Sequence, residues 1–284
     1  MSAYGLTGKM NAGKLSSDLE WALCSGGLSL VYQPQVSLSD QQITGLEALA
    51  RWNHPGQGEI PPGLFIEVAE KACLMPSFTR WVLSEACQQN VLWQRRGCPP
   101  LRVAVNVSPS NFSDPGFVDD VADILEQTGL EPCWLELELT ECAIVKNREA
   151  AALSMQRLSA MGVSLALDDF GSGYASLSHF RHFPINRLKL DRTFVRDLPG
   201  ACGRKEQLLV EAIMLFARHM GLDTVAEGVE NESQRKLLRE IGCLVGQGFL
   251  LGRPMTVDEL DTVYQPSTFD TSCWGRGVPT TLLV

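Results

Sequence analysis

Six carboxylate and amide residues follow one another through the chain, each at or near the end of a short apolar run. Any one of them alone would be an ordinary strand end or helix cap. Six in succession instead predict one shared rim, where like charges repel and raise each other's pKa unless cations neutralise them. Ligands made only of oxygen select the hard cations Mg²⁺ and Mn²⁺ over zinc. The six are Glu47, Asn106, Glu138, Asp168, Asp169 and Glu227, and Lys189 and Gln247 stand in two further runs.

Two adjacent aspartates, Asp168 and Asp169, directly follow the run Leu165-Ala166-Leu167. Alternation along a strand would point one carboxylate inward and leave the next on the turn. Neighbouring carboxylates can bridge two cations about 3.5–4 Å apart, the spacing of two-metal phosphate chemistry. The triplet Asp169-Phe170-Gly171 is also found in kinases, but the chain has neither the H-R-D loop nor the Gly-rich nucleotide loop that kinases require.

The elements that must position these residues are eight short apolar runs, most of them followed by a helical pattern. Repeated βα units force parallel strand pairing, and eight of them predict a (β/α)₈ barrel whose active face lies at the carboxyl ends of the strands. The segment 17–265 is close to the ~250 residues typical of such a barrel. Ser17 and Glu20 have the spacing of a capping box and predict that the first helix begins there, and Leu244–Leu250 is the last predicted strand.

The composition limits the functional class. The chain has 284 residues, 45% of them hydrophobic, and a net charge of −9, which excludes a disordered chain and argues against a DNA or RNA duplex as partner. The nine cysteines include no C-x-x-C pair, and the sequence has no signal peptide and no run long enough to span a membrane. We therefore expect a cytoplasmic protein.

Eight short motifs then occur in a fixed order between about Ser17 and Tyr264. One such triplet would mean nothing, whereas eight in order are highly specific. They are Tyr32-Gln33-Pro34, Glu47-Ala48-Leu49-Ala50-Arg51-Trp52, Asn106-Val107-Ser108, Glu138-Leu139-Thr140-Glu141, Asp168-Asp169-Phe170-Gly171-Ser172-Gly173-Tyr174, Lys189-Leu190-Asp191, Ala226-Glu227-Gly228-Val229-Glu230 and Gly246-Gln247-Gly248-Phe249.

Together these motifs resemble the EAL-domain cyclic di-GMP phosphodiesterases. The resemblance implies an α/β fold, a modified TIM-like (β/α)₈ barrel with its first strand antiparallel to the others. It also implies hydrolysis of cyclic di-GMP to linear pGpG with two Mg²⁺ or Mn²⁺ ions, in a homodimer. We expect a stand-alone EAL barrel over residues 17–265, with an N-terminal extension at 1–16 and a C-terminal tail at 266–284.

The resemblance also assigns roles to residues. Glu47, Asn106, Glu138 and Asp168 would hold the first metal, and Asp168 and Asp169 the second. Lys189 and Gln247 would serve catalysis, while Glu227 is either the general base or a further metal ligand. The substrate-binding candidates are Gln33, Leu49, Arg51, Asp191 and Glu230, and the residues of loop six, which couples the site to dimerisation, are Glu141, Phe170, Gly171, Ser172 and Gly173.

Two rival functions stay open. Some members of the family have lost metal ligands and act as cyclic di-GMP receptors, and the same barrel could carry a different metal-dependent phosphoesterase. The ligand set in this sequence is complete, which favours the enzyme.

Overall fold

Strands and helices alternate along the chain and close into a barrel in the computed structural model. The structure describes residues 12–112, 114–140, 148–170, 183–198 and 203–264. Nine strands lie in this part of the chain. They are β1 (Leu28–Ser37), β2 (Ile43–His54), β3 (Gly58–Ile60), β4 (Arg102–Asn106), β5 (Leu135–Thr140), β6 (Ser164–Phe170), β7 (Arg187–Leu190), β8 (Asp223–Ala226) and β9 (Val245–Gly246).

Eight of these strands form the barrel wall. Strands β2 and β4 to β9 pair in parallel in the order β2-β4-β5-β6-β7-β8-β9, and β1 closes the ring by pairing antiparallel with both β2 and β9. The predicted modified barrel with an antiparallel first strand is therefore confirmed. The short β3 lies outside the ring in a hairpin with β2, and three residues are too few for a periodic signal in the sequence.

Helices cover the outside of the barrel. Two predicted boundaries were wrong: the first helix begins before Ser17, whose hydroxyl donates to the Gly13 carbonyl inside the helix, and the last strand spans two residues rather than seven. The helices are α1 (Ala12–Ser25), α2 (Pro62–Lys71), α3 (Met75–Arg95), α4 (Pro109–Phe112), α5 (Phe117–Thr128), α6 (Arg148–Ala160), α7 (Arg192–Arg196), α8 (Gly203–Met220), α9 (Glu232–Ile241) and α10 (Val257–Val263). None of the helices in the described part of the chain is long and apolar enough to cross a bilayer.

The barrel wall has an apolar outer face and a polar inner face. Along β5, Leu135, Leu137 and Leu139 belong to the hydrophobic core, whereas the intervening Glu136 and Glu138 bond to basic side chains from β7. This is the two-residue alternation of a strand whose two faces are both buried. The barrel interior therefore carries charge instead of the layers of branched apolar side chains usual in such barrels.

A polar floor closes the amino-terminal end of the barrel. Glu136 is fully buried, and its carboxylate accepts from Arg187 Nη1 at 3.1 Å, Arg102 Nη1 at 3.3 Å and Ser164 Oγ at 3.1 Å. Arg187 Nη1 also donates to Gln35 Oε1 at 3.0 Å. These bonds join β1, β4, β5, β6 and β7 directly below the ring of predicted catalytic residues.

We predict that Arg187→Met destabilises the fold by about 3–5 kcal/mol, because it leaves the buried Glu136 carboxylate with too little positive charge. Urea unfolding measures the change. The matched control is Lys236→Ala. Lys236 is exposed, and its Nζ lies 4.0 Å from Glu240 Oε1, so the ion pair is worth at most about 1 kcal/mol. The double variant Glu136→Leu/Arg187→Met should recover part of the loss, since the buried carboxylate is then removed with Arg187 and only the partly exposed Arg102 loses its partner. Equal stability of Arg187→Met and the wild type would contradict this account of the floor.

Candidate active site at the carboxyl ends of the strands

A buried ammonium group stands at the centre of the predicted metal ligands. Lys189, in β7, is 1% exposed, and its Nζ lies 2.7 Å from Glu138 Oε2 and 2.7 Å from Glu227 Oε1. It also lies 3.3 Å from Asp168 Oδ1 and 3.6 Å from Glu47 Oε2. Side chains from β2, β5, β6, β7 and the loop after β8 thus meet at one point. The shared rim expected from the sequence is present in the structure.

Amide side chains fix the orientation of Glu47. Asn106 Nδ2 donates to Glu47 Oε1 at 2.7 Å, and Gln247 Nε2 donates to Glu47 Oε2 at 2.6 Å. Gln247 Nε2 also lies 3.1 Å from Gln33 Oε1, and Gln33 Nε2 donates to the Gly252 carbonyl at 3.0 Å. The antiparallel register that pairs Gln33 with Glu47 brings these groups together.

Burial and charge shift the pKa values of this centre. Burial, followed by the charge of Glu47, raises the pKa of Glu138 well above its usual range. Burial also raises the pKa of Glu227, to about 7, against the opposing effect of Lys189. Burial alone would lower the pKa of Lys189, but the surrounding carboxylates hold it well above its usual value. One ammonium thus faces four carboxyl groups, and additional positive charge at this centre would be stabilised.

The donor set fits a hard divalent cation. Among the described residues, Asp168, Asp169 and Glu227 each offer a carboxylate oxygen, and these oxygens lie within 4.8 Å of one another. Glu138 Oε1 is buried and has no hydrogen-bond partner in the described part of the chain, an arrangement that is costly unless a cation or water binds it. The donors are oxygens throughout, as Mg²⁺ and Mn²⁺ prefer.

The backbone at Asp169 has an unusual conformation. Its φ is 55°, and its N–H donates to Asp168 Oδ1 at 2.9 Å. The left-handed conformation is uncommon outside glycine, although aspartate tolerates it better than most residues. It turns the chain between the two aspartates, so that both carboxylates contribute to the oxygen cluster even though they are adjacent in sequence.

A pocket of about 300 Å³ lies above this centre. Of the predicted substrate-binding residues it includes Gln33, Leu49 and Glu230, and its floor holds the predicted metal ligands Glu47 and Asp168. Sequence reasoning did not single out two further lining residues, Arg192 and Phe249. Phe249 was inside a predicted motif but had no assigned role, and Arg192 had no signal beyond its position after Asp191.

Arg51 lies in a second cavity, also of about 300 Å³, which shares Leu49 with the first. Its lining is largely apolar, with Ile66, Phe78 and Val82 among its residues. Arg51 Nη1 donates to the Ala50 carbonyl at 2.9 Å, and Arg51 Nε lies 3.9 Å from Glu59 Oε1. The guanidinium is partly exposed and is therefore accessible to an anionic ligand.

Asp191 is engaged in local structure instead of lining either cavity. Its Oδ1 accepts from the Thr193 N–H at 2.8 Å and caps α7. Burial by itself would raise the pKa of Asp191, but the hydrogen bonds from Thr193 and one with the Asp169 side chain hold that pKa below its usual value. Asp191 thus links the start of α7 to the oxygen cluster.

A family model described as the EAL domain matches residues 16–254. The chain belongs to the EAL domain family. MucR of Pseudomonas aeruginosa, a bifunctional diguanylate cyclase/cyclic di-GMP phosphodiesterase, is 42% identical over 247 residues, which are 87% of this chain and 36% of MucR. The cyclic di-GMP phosphodiesterase NbdA of the same organism is 40% identical over 257 residues, 90% of this chain and 33% of NbdA.

The solved structure of the PaMucR phosphodiesterase in complex with c-di-GMP has a TM-score of 0.82 to this EAL domain, with 42% sequence identity. The match covers 87% of this chain and 99% of that one. The chain spans about a third of the length of the two curated relatives. What it shares with them is therefore the EAL domain itself.

Loop six of this EAL domain is only partly within the described residues. Phe170 ends β6 and is buried, at 6% exposure. Glu141, Gly171, Ser172 and Gly173 lie outside the described residues. Their role in coupling the site to a homodimer stays a prediction, as do the domain boundaries at 17 and 265.

We predict that Lys189→Met destabilises the metal-free EAL domain by about 3–5 kcal/mol, because it removes the internal cation that the buried carboxylates surround. Thermal and urea unfolding in EDTA measure the loss. Added Mg²⁺ or Mn²⁺ should restore more stability to the variant than to the wild type, since the metal then supplies the missing charge. Lys71→Ala, which removes an exposed partner of Glu67, is the control. An unchanged unfolding midpoint in EDTA would show that Lys189 does not hold the carboxylates together.

Proposed function

We propose that this chain hydrolyses one phosphodiester of cyclic di-GMP and releases linear pGpG, lowering the level of the second messenger in bacterial signalling. The observation that carries the proposal is the cluster of Glu47, Glu138, Asp168 and Glu227 around Lys189 at the base of an accessible pocket. Asn106 bonds to Glu47, and Asp169 lies in the same oxygen cluster as Asp168 and Glu227. Two relatives, MucR and NbdA, are named as cyclic di-GMP phosphodiesterases, and the PaMucR structure is a complex with c-di-GMP.

The metals proposed are two Mg²⁺ or Mn²⁺ ions. Glu47, Asn106, Glu138 and Asp168 would hold the first, and Asp168 and Asp169, with Glu227 as a further candidate, the second. When bound, they would neutralise the phosphodiester and make water a stronger nucleophile near neutral pH. Because Asn106 Nδ2 already donates to Glu47, its carbonyl oxygen is the atom it would offer to a metal.

The remaining side chains position these groups. The Lys189 ammonium lies between Glu138 and Glu227, where it can donate to an attacking water or to a developing negative charge. Glu227 accepts from Lys189 and faces the pocket, so its carboxylate can either take a proton from water or bind metal. Gln247 holds Glu47 in one orientation, which preserves the ligand geometry during turnover.

We propose that the chain works in the cytoplasm as a homodimer. Its substrate is a cytoplasmic signal in the family that the sequence resembles, and dimerisation through loop six is the family's expected means of control. A two-fold pair is also the commonest symmetric assembly of soluble proteins.

The purified chain should convert cyclic di-GMP to pGpG in the presence of Mg²⁺ or Mn²⁺ and lose this activity in EDTA. Glu47→Gln should reduce turnover by at least about 100-fold, because the neutral amide is a weak ligand for a hard cation. Nucleotide chromatography measures the product. Glu126→Gln is the matched control, since Glu126 is an exposed acid of α5. Nucleotide binding without product, with either metal present, would support the receptor function instead.

Arg51→Ala should chiefly weaken substrate binding. A guanidinium can bind a phosphate through two parallel hydrogen bonds, which are charge-assisted. Losing such a contact, worth about 1.5–3 kcal/mol, should raise KM by about 10- to 150-fold. Steady-state kinetics should show kcat within a few-fold of the wild type. Arg95→Ala, at the exposed end of α3, should change neither constant, and a selective fall in kcat for Arg51→Ala would contradict the binding role.

A further inference from the structure

An acidic side chain faces the predicted phosphate-binding arginine from a neighbouring strand. Glu59 lies on β3, and its Oε1 atom is 3.9 Å from Arg51 Nε. The Glu59 side chain is 70% exposed and that of Arg51 25%. Among the described residues that line the second cavity, Arg51 is the sole basic residue and Glu70 the sole acidic one. Glu59 thus brings a second negative charge to Arg51 from outside this lining.

The hairpin of β2 and β3 determines where Glu59 lies. Trp52 pairs with Ile60, and both side chains are buried in the core. Asn53 pairs with Glu59, so Glu59 is the diagonal neighbour of Arg51 on the other face of the hairpin. Diagonal partners in a hairpin are about 7–8 Å apart, a distance that only long side chains can bridge. The buried face therefore anchors the two strands, and the exposed face brings the two charges together.

The guanidinium of Arg51 has one edge that is free to bind a phosphate. Its Nη1 atom already donates to the Ala50 carbonyl at 2.9 Å, whereas Nε and Nη2 form no hydrogen bond with another described residue. Two parallel hydrogen bonds to a phosphate need two neighbouring nitrogens of the planar group. The Nε–Nη2 edge can supply both without giving up an existing bond. Glu59 Oε1 lies 3.9 Å from the Nε atom of that edge.

The contact is too weak to hold the guanidinium in place. A distance of 3.9 Å is beyond hydrogen-bond range, and exposed ion pairs contribute little because water screens them and long side chains lose conformational freedom in forming them. A phosphate bound to Arg51 would, however, lie within a few ångströms of the Glu59 carboxylate, and the two negative charges would repel each other. Competition therefore outweighs positioning at this pair.

We propose that Glu59 sets the substrate affinity of this EAL domain, because its carboxylate competes with a substrate phosphate for the Nε–Nη2 edge of Arg51. The inference rests on the proposed function, since it takes the anion that reaches Arg51 to be a phosphate of the cyclic dinucleotide. Glu59 touches none of the predicted metal ligands, so it acts on binding and not on the chemical step.

Steady-state kinetics with cyclic di-GMP and Mn²⁺ test the competition. Glu59→Gln keeps the size of the side chain and removes its charge. We expect this variant to lower KM by about 2- to 5-fold, the range for an exposed ion pair worth at most about 1 kcal/mol, with kcat unchanged. An unchanged KM would overturn the proposal. A higher KM would also overturn it, because Glu59 would then position the guanidinium instead of competing for it.

Glu70→Gln is the matched control. Glu70 is exposed and lines the same cavity as Arg51, but no ion pair joins the two within the described residues. Its removal changes the net charge of the chain by the same amount as Glu59→Gln does. KM should therefore fall less in Glu70→Gln than in Glu59→Gln. Equal falls in the two variants would show a general charge effect and refute a specific competition at Arg51.

Two further variants separate a direct contact from a general field. Glu59→Asp keeps the charge but shortens the side chain by one methylene, so it should lower KM nearly as far as Glu59→Gln does. In the Arg51→Ala background, Glu59→Gln should no longer lower KM, because the edge for which it competes is absent. A fall of the same size in both backgrounds would contradict the coupling between Glu59 and Arg51.

The salt dependence adds a readout that a purely structural role would not change. The Debye length falls from about 10 Å at 0.1 M salt to about 3 Å at 1 M. The ratio of the wild-type KM to that of Glu59→Gln should therefore approach one as the salt concentration rises. A ratio that is independent of salt would argue against an electrostatic origin and would overturn the proposal.

Equilibrium binding of cyclic di-GMP in EDTA distinguishes a failure of this inference from a failure of the proposed function. If Glu59→Gln binds the nucleotide more tightly than the wild type but neither forms pGpG, the role of Glu59 holds and hydrolysis fails. If pGpG forms while affinity and KM are the same in both proteins, hydrolysis holds and the role of Glu59 is refuted. An absence of cyclic di-GMP binding to the wild type would refute both.

Discussion

The buried ammonium of Lys189 is the interaction on which the rest of the site depends. Four carboxyl groups converge within 3.6 Å of its Nζ, and so many like charges could not share one dry space without a counter-charge. One ammonium only partly balances them. The ammonium consequently holds the carboxyl groups together and leaves part of their negative charge unbalanced. In the proposed mechanism, the metal ions would supply the remaining positive charge.

A barrel with charge in its interior needs a different arrangement of apolar contacts from the usual one. Here the hydrophobic core lies between the strands and the helices, where Leu135, Leu137 and Leu139 pack. The interior of the barrel is occupied by ion pairs and by hydrogen bonds of amide side chains. Glu136 and Arg187 in the floor are buried, and the floor separates the reactive end from solvent at the opposite end. Its bonds cross five strands, so the floor also fixes the relative heights of the strands that carry the ligands.

The pocket wall depends on close backbone approaches. Gly248 is one example, since a Cβ there would lie 2.3 Å from the backbone of Val229, and Gly228 is another, since a Cβ there would lie 2.6 Å from Arg192 Cβ. The turns after β8 and β9 thus interlock and present a basic, an acidic and an aromatic side chain toward one cavity.

Much of this protein could be predicted from the sequence, because strand alternation and motif order are local properties of the chain. Such patterns predict the eight barrel strands and the meeting of the Glu47, Glu138 and Asp168 carboxylates at one rim. The helix start near Ser17 and the length of the last strand were wrong, since capping and strand ends depend on neighbours in space. Only the tertiary structure decided that Lys189 is the hub, that Asp191 caps a helix, and that Arg192 lines the pocket in its place. Those outcomes depend on which distant loops touch, and local sequence does not specify those contacts.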